Sequence, residues 1–279
     1  MTIGEKIRKA RRALGMTQAT LAGDFVTRNM ISRLESGDAM PSLDTLRYLS
    51  GQLGLPVSYF LEEDEDFDFY RKAHAIAPIR EAFSAGRYDE VIAKTEALGI
   101  RDDELCYLLS LSYFYSGKES LRIGGMKKAR RELEAALSFA EKTVYDTATV
   151  KLLAPVYLSV AKNFRAPLLE LDRAAYMKAM PRLVDAEFFH YLTQDTDFSY
   201  DNDTYRRHLD AKQLLRQYRY QEALRQLSLI EQDKTPENYQ VYVMYGVYTD
   251  METCYKELSD FESAYRYASK RMSLLESFE

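Results

Sequence analysis

Four polar side chains between residues 28 and 33 have the chemistry needed to read nucleic-acid bases. They are Arg28, Asn29, Ser32 and Arg33. Arginine can donate two hydrogen bonds to guanine O6 and N7, and asparagine can bond both N6 and N7 of adenine. Each such bidentate pair discriminates against a wrong base by about 1–3 kcal/mol. Held on one face of a short helix, these side chains could read a sequence in the major groove of DNA.

The residues around this segment predict such a helix. Thr27 is a favoured N-cap and Gly37 a typical stop, so the helix should run from about Arg28 to Glu35. At helical spacing, three apolar residues should face the core and leave the polar ones outward. These three are Met30, Ile31 and Leu34.

Four further helices are predicted before residue 62. They should span residues 3–14, 18–22 and 43–53, followed by a short helix with Pro56 near its start that ends near Leu61. Thr17 and Ser42 are the predicted N-caps of the second and fourth helices, and Gly15 ends the first. The expected core positions are Ile7, Ala10 and Leu14 on the first helix, and Leu43, Leu46, Leu49 and Leu53 on the fourth. Lys6, Lys9 and Arg12 should lie largely on the opposite face of the first helix.

The charge distribution divides the chain at an acidic run. The net charge is −5, but residues 1–61 carry eight Lys and Arg against five acidic residues, or +3, which leaves −8 for the rest. A basic module on an acidic body suits a DNA-binding head with a separate sensing domain. The acidic run 62–66 resists compaction because its charges repel. We therefore predict a DNA-binding domain over residues 1–61, a linker over 62–70 and a second domain over 71–279.

The N-terminal pattern resembles the phage-repressor-like (Xre) helix-turn-helix family. The residues that carry the resemblance are Thr17-Gln18, Leu21-Ala22, Ile31-Ser32-Arg33-Leu34-Glu35-x-Gly37, Pro41-Ser42-Leu43 and Leu53-Gly54. The turn over residues 23–27 is shorter by one residue than in that family. It is similar to the turn of the Rgg and PlcR group of peptide-pheromone-responsive regulators.

The resemblance implies a lambda-repressor-like domain of five helices. In it, Gln18 would contact a backbone phosphate or a neighbouring base, and Arg11 would pair with Glu35 to orient the helices. The residues that would contact DNA are Gln18, Thr27, Arg28, Asn29, Ser32 and Arg33.

The remainder of the chain carries a degenerate repeat that predicts paired helices. A turn, a large residue and a small or β-branched residue three positions later recur at Tyr88/Val91, Tyr220/Ala223 and Phe261/Ala264, with a weaker copy at Met126/Ala129. Arg173-Ala174-Ala175-Tyr176 is a further candidate copy. This pattern resembles tetratricopeptide repeats (TPRs). The whole protein should then be all-α, its second domain a right-handed TPR-like solenoid of about five helix pairs with a concave groove.

The groove is the predicted ligand site. Its inward-facing polar and aromatic residues are expected to be Arg80, Tyr205, His208, Lys212, Thr249 and Thr253, which would suit the backbone of an extended peptide. The resemblance adds Asn163 as a candidate that grips the ligand backbone. A wet surface without a ligand and a subunit contact are the alternatives for these residues.

The sequence gives no sign of an enzyme, a cofactor or a metal site. His74, His190 and His208 are widely spaced and are expected to be solvated or capping residues. The segment 195–203 lacks the glycine and final glutamate of a calcium loop, so we expect a solvated loop with a helix cap at Asn202 or Asp203. Cys106 and Cys254 imply no disulfide framework. No signal peptide or membrane span is evident, which predicts a cytoplasmic protein.

Three functions remain open. The first is a homodimeric regulator that binds double-stranded DNA and senses a short secreted peptide, as in quorum sensing. The second is a DNA-binding regulator whose repeat domain docks a partner protein without sensing a peptide. The third is a constitutive repressor whose repeats serve only for dimerisation.

Overall fold

A computed structural model describes residues 1–61, 67–164, 178, 183–233 and 239–276, and all regular secondary structure in these ranges is α-helical. The chain divides into two compact units, Met1–Ile100 and Arg101–Glu279. The first unit contains α1 (Ile3–Ala13), α2 (Gln18–Ala22), α3 (Arg28–Ser36), α4 (Leu43–Leu53), α5 (Val57–Leu61), α6 (Phe67–Ser84) and α7 (Tyr88–Leu98). The second contains α8 (Asp103–Arg122), α9 (Met126–Ala140), α10 (Ala148–Asn163), α11 (Leu183–Leu192), α12 (Asp203–Arg216), α13 (Tyr220–Gln232), α14 (Gln240–Glu257) and α15 (Phe261–Glu276).

The predicted caps of the N-terminal helices are confirmed. The hydroxyl of Thr17 accepts a hydrogen bond from the backbone N–H of Thr20 at 3.0 Å, and Thr27 caps α3 in the same way. The Ser42 hydroxyl accepts from the N–H of Thr45 at 3.1 Å. Gly37 follows α3 in the left-handed conformation at φ 82°, which glycine adopts without steric cost. Local hydrogen bonding therefore sets these helix bounds.

The predicted core is confirmed only in part. Ile7, Ala10, Ile31, Leu34, Leu46, Leu49 and Leu53 are buried. Leu14, Met30 and Leu43 were expected in the core and are instead 48%, 41% and 64% exposed. Leu14 lies beyond the end of α1. Met30 is one position from Ile31, about 100° around the helix, and so falls off the buried stripe.

Lys6 lies in the core and not on the solvent-exposed face for which it was predicted. It was assigned to the outer face of α1 but is fully buried. Its ammonium group donates a hydrogen bond of 2.8 Å to the carbonyl oxygen of Tyr59 and lies 5.3 Å from the centre of the Tyr59 ring. A carbonyl acceptor and an aromatic face can hold a lysine ammonium away from bulk water. Helix periodicity alone does not reveal such long-range partners.

Four helix–turn–helix pairs follow the predicted repeat. They are α6–α7, α8–α9, α12–α13 and α14–α15. In each pair the small or β-branched residue of the motif is buried, namely Val91, Ala129, Ala223 and Ala264. The large residue of the motif is buried at Met126 but 68% exposed at Phe261, so its burial is not a constant feature of the repeat. The candidate copy at 173–176 lies outside the described residues.

The first compact unit reaches farther than the predicted N-terminal domain. Helices α6 and α7 group with α1–α5, whereas the repeat motif assigns them to the second domain. The acidic run 62–66 lies outside the described residues. The domain bounds 1–61, 62–70 and 71–279 stay predictions.

Candidate DNA interface and ligand pocket

Helix α3 presents the predicted base-reading side chains to solvent. Its outward positions are all exposed, namely Thr27, Arg28, Asn29, Ser32 and Arg33. On the opposite side, Ile31 and Leu34 are buried against the core of the N-terminal unit. The helix is therefore anchored by one face and offers the other to a partner. Within this unit, no described residue covers that outer face.

A buried ion pair fixes α3 against α1 and α2. Arg11 Nε and Nη2 donate to the two carboxylate oxygens of Glu35 at 2.5 and 2.9 Å. Gln18 Nε2 also donates to Glu35, at 2.9 Å. Burial disfavours the charge on Glu35, but the hydrogen bonds from Arg11 and Gln18 outweigh it, and the pKa of Glu35 is lowered. The pairing of Arg11 with Glu35, which the family resemblance implied, is present in the structure.

The same network gives Gln18 a structural role. Its amide bridges the start of α2 to the last turn of α3, and its side chain is half-buried. Glu35 thus receives donors from both α1 and α2. The predicted contact of Gln18 with DNA stays a prediction.

Close contacts position α1 against α3, and position α4 against the turn between α2 and α3. Gly4 lies against the carbonyl oxygen of Leu34, where a Cβ atom would collide with the backbone of α3. The Tyr48 hydroxyl donates to the carbonyl oxygen of Ala22 at 3.0 Å, and its ring stacks on Phe25 at 4.5 Å. Gly4 thus lets α1 pack closely on α3, and Tyr48 joins α4 to the end of α2 and the turn that follows it.

Comparison with known families agrees with this geometry. Residues 7–60 match the sequence model of the helix-turn-helix family. The N-terminal unit therefore contains a helix-turn-helix domain. No curated protein matches the chain.

Three solved structures are similar over nearly the whole length. A Bacillus thuringiensis PlcR complex with the peptide PapR7 and DNA is 20% identical, with 99% of this chain and 95% of that chain covered and a TM-score of 0.22. ComR from S. thermophilus with DNA and its signalling peptide ComS is 14% identical, with coverages of 98% and 99% and a TM-score of 0.23. The Streptococcus dysgalactiae SHP pheromone receptor Rgg2 is 14% identical, with coverages of 97% and 99% and a TM-score of 0.21.

A pocket of about 310 Å³ lies in the C-terminal unit, between α11, α12, α14 and α15. Its lining is half aromatic or apolar and half polar. The lining residues are Phe164, Tyr191, Leu192, Gln194, His208, Lys212, Tyr242, Tyr245, Gly246, Thr249, Asp250 and Arg271. Such a mixture, with a few polar groups among apolar and aromatic ones, is typical of small-molecule sites.

A chain of hydrogen bonds crosses one wall of this pocket. His208 Nδ1 lies 2.6 Å from the Tyr191 hydroxyl, and His208 Nε2 lies 2.9 Å from Asp250 Oδ2. Lys212 Nζ donates to the same oxygen of Asp250 at 2.6 Å. A carboxylate can only accept, so a neutral His208 carries its proton on Nε2 and accepts from Tyr191 at Nδ1. The donors of His208 and Lys212 therefore converge on Asp250, the terminal acceptor of the chain that begins at Tyr191.

Burial controls the charges in this chain. His208 is fully buried, and desolvation lowers its pKa although Asp250 opposes the shift. Burial raises the pKa of Tyr191 well above its ordinary value, so its hydroxyl keeps its proton. For Asp250, burial acts against the charge but the hydrogen bond from His208 and the charge of Lys212 prevail, and the pKa is lowered. The expectation that His208 is solvated or capping is wrong.

Aromatic and cationic groups form another part of the pocket lining. The rings of Phe164 and Tyr245 lie 4.5 Å apart, and the guanidinium of Arg271 lies 5.6 Å from the Tyr245 ring. Arg271 also approaches the Thr249 hydroxyl at 3.4 Å and pairs with Glu252 at 3.0 Å. These contacts hold the guanidinium group of Arg271 at the surface of the pocket, where part of the Arg271 side chain is still accessible to solvent.

The structure brings together three of the seven predicted ligand residues. His208, Lys212 and Thr249 line the pocket. Tyr205 is buried behind it and stacks on Tyr191 at 4.5 Å. The other three are exposed but do not line it: Thr253, one turn beyond Thr249 on α14; Asn163, at the end of α10; and Arg80, on α6 of the N-terminal unit.

Sequence reasoning missed Tyr191, Asp250 and Arg271. Asp250 directly follows the predicted Thr249, and a search for acidic partners of His208 and Lys212 could have found it. Arg271 lies on α15 and reaches the pocket only through packing against α14. No local signal marks it.

The loop over residues 195–203 contains one of the two predicted helix caps. Asn202 caps α12 by accepting from the N–H of Tyr205 at 3.0 Å, as expected for the segment 195–203. His190 lies 3.0 Å from Asp195. Both cysteines are buried and unpaired with each other; burial raises the pKa of Cys106, and that of Cys254 to about 12. Over the described ranges, no cluster of His, Cys, Asp and Glu is suited to a metal, and no helix has the length and apolar character to cross a membrane.

Proposed function

We propose that this protein is a homodimeric, sequence-specific transcription regulator that reads DNA with α3 and senses a ligand in its C-terminal unit. The observation that carries the DNA assignment is the exposed polar face of α3 in a helix-turn-helix domain. Arg28, Asn29 and Arg33 supply the bidentate donors that base recognition needs. The Arg11–Glu35–Gln18 network supports the proposal because it holds that face in one orientation.

The proposed dimerisation is based on the small size of the helix-turn-helix domain. A single domain of this kind contacts too few base pairs to be selective in a genome. Two recognition helices of a dimer must match half-sites about 34–36 Å apart. A ligand regulates such a protein only if it binds one arrangement of the dimer better than another. The proposed place of action is the cytoplasm, where DNA is accessible.

The proposed ligand is a short peptide, and the pocket at α12 and α14 supports this choice. It combines donors, acceptors and aromatic surface, which a peptide backbone with apolar side chains can use together. The ligand would bias the equilibrium between dimer arrangements and so change affinity for the operator. Whether transcription rises or falls depends on where the operator lies relative to the promoter.

The test of DNA reading begins with selection of a binding site from random duplexes with the full-length protein. Fluorescence anisotropy then compares Arg28→Ala with Arg12→Ala on the selected site and on a scrambled duplex. Both variants remove one exposed positive charge, but only Arg28 lies on the outer face of α3. We expect Arg28→Ala to weaken binding to the selected site by about 10- to 100-fold, the equivalent of one bidentate pair.

The scrambled duplex separates base reading from attraction to phosphate. There, the two variants should lose affinity to the same small extent, because each loses one charge. If Arg28→Ala weakens both duplexes equally, or no more than Arg12→Ala does, α3 does not read bases in the proposed way.

A further inference from the structure

The pocket in the C-terminal unit carries a net positive charge among its lining groups. Lys212 and Arg271 contribute two positive charges, and Asp250 contributes one negative charge. His208 is fully buried and receives a hydrogen bond from Tyr191, so it contributes none in its neutral form. Glu252 pairs with Arg271 at 3.0 Å but does not line the pocket. A carboxylate ligand would therefore meet two lining cations, whereas a cationic ligand would meet only Asp250, which His208 and Lys212 already contact.

Lys212 and Arg271 have N–H donors left for a ligand, whereas one carboxylate oxygen of Asp250 already accepts two hydrogen bonds. Asp250 accepts from both His208 and Lys212 on one oxygen, and its side chain is 14% exposed. Lys212 and Arg271 are 24% and 25% exposed. A lysine ammonium has three N–H donors and a guanidinium five. Within the described residues Lys212 donates one hydrogen bond, to Asp250, and Arg271 donates one, to Thr249, besides its ion pair with Glu252.

Size and surface limit the rest of the ligand. About 310 Å³ is at the lower end of the range for ligand pockets, which suits one or two residues rather than a whole extended peptide. Phe164 and Tyr245 form one aromatic wall, and Tyr191 and Tyr242 stand perpendicular at 6.3 Å. Flat, apolar groups pack well against such walls.

We propose that this pocket selects a ligand by one carboxylate attached to an aromatic or branched apolar body, with Lys212 and Arg271 as the carboxylate donors. The carboxyl-terminal residue of a peptide has this chemistry, and so does a free aromatic acid. The proposal rests on the proposed function, since it specifies the end of the ligand that the C-terminal unit recognises.

A series of contacts from Gly246 through His208 and Asp250 fixes the position of Lys212. Gly246 allows His208 to lie so close that a Cβ atom at residue 246 would be 2.8 Å from His208 Cε1. His208 in turn holds Asp250, and Asp250 holds Lys212. A ligand carboxylate would share the Lys212 ammonium group with Asp250. Because Lys212 lies on α12 and Asp250 on α14, ligand binding would change the contact between these two helices.

Three small probes test the proposal on the full-length protein. They are N-acetyl-L-phenylalanine, its neutral amide and 3-phenylpropionate, each titrated by ligand-observed NMR. Probes of this size bind a good site with a Kd of about 1 mM, so titration to about 10 mM is decisive. We expect the acetylated acid to bind at least about tenfold more tightly than its amide. Equal affinity for the two, or no binding by any probe, would overturn the proposal.

Matched variants assign the preference to Lys212. Lys212→Met should strongly reduce the preference for the acid over the amide, because only Arg271 is left as a donor, and Lys212→Arg should retain it. Lys256→Met is the control, because Lys256 lies on α14 and donates to the acidic side chain of Glu252 but does not line the pocket. A loss of preference in Lys256→Met equal to that in Lys212→Met would mean that general charge, and not this site, attracts the acid. Thermal unfolding of each variant checks that it is folded.

The remaining comparisons separate the source of the ligand and the two proposals. Comparable binding of 3-phenylpropionate and the acetylated acid favours a free aromatic acid, and a clear preference for the acetylated acid favours a peptide end. Affinity for the selected DNA site is measured without any probe. DNA binding without probe binding would overturn this inference and leave the DNA assignment intact.

Discussion

Replacement of Arg11 by methionine should loosen α3 far more than the same replacement of its neighbour Arg12. Arg11 is 11% exposed and bonds both oxygens of Glu35, which is 4% exposed, as well as the carbonyl oxygen of Met16. Removing one member of a buried ion pair costs about 3–5 kcal/mol, because the other charge is left without its partner. Gln18 still donates to Glu35, so we expect the lower end, about 3 kcal/mol. Arg12 is exposed, and its replacement should change stability by about 0.5 kcal/mol or less.

Hydrogen exchange followed by mass spectrometry measures this loss locally. The chain has no tryptophan, so intrinsic fluorescence offers no selective probe of α3. A cost of about 3 kcal/mol should raise the exchange rate of protected amides in residues 28–36 by about 100-fold in Arg11→Met. In Arg12→Met these amides should exchange as in the wild type. Equal protection in the two variants would refute the view that the ion pair holds α3.

The same experiment has an expected pH dependence. The pKa of Glu35 is lowered in the folded protein, so its contribution to stability is present above the ordinary pKa of glutamate, 4.5, and is lost as the pH falls through the folded-state pKa. The difference between Arg11→Met and the wild type should therefore shrink on the acid side. A difference that stays constant down to full protonation of Glu35 would contradict the assignment.

Two further predictions test close packing and buried charge. Gly4→Ala should destabilise the N-terminal unit by about 1–3 kcal/mol, because its Cβ would collide with the backbone of Leu34. Gly51→Ala, whose Cβ would meet nothing, should stabilise α4 by about 0.5–1 kcal/mol, and thermal unfolding of the two variants compares them. The pKa of His208 is lowered mainly by burial, so the wild type should lose stability as the pH falls below about 6.5, the ordinary value, and His208→Gln should lose less over that interval. An identical acid slope in wild type and His208→Gln would count against a buried neutral histidine.

The sequence by itself determined the local elements of this protein. Thr17, Thr27 and Ser42 cap the helices they were predicted to cap, because a cap depends on a side chain and a backbone N–H only a few residues apart. The small or β-branched residues of the repeat motif are buried as predicted, because a compact side chain lets the two helices of a pair approach closely. The polar face of α3 also followed from helical spacing, and the helix-turn-helix assignment from the resemblance to the Xre family.

Only the tertiary structure decided which residues act together. Periodicity gives the direction of a side chain about its own helix axis but not what packs there, so it placed Lys6 outside and Leu43 inside, both wrongly. The pocket joins Lys212 to Asp250, 38 positions along the chain, and adds Arg271 from another helix. Such contacts depend on how whole helices pack, and no local pattern encodes them. The chemistry of the ligand site is for that reason a property of the fold.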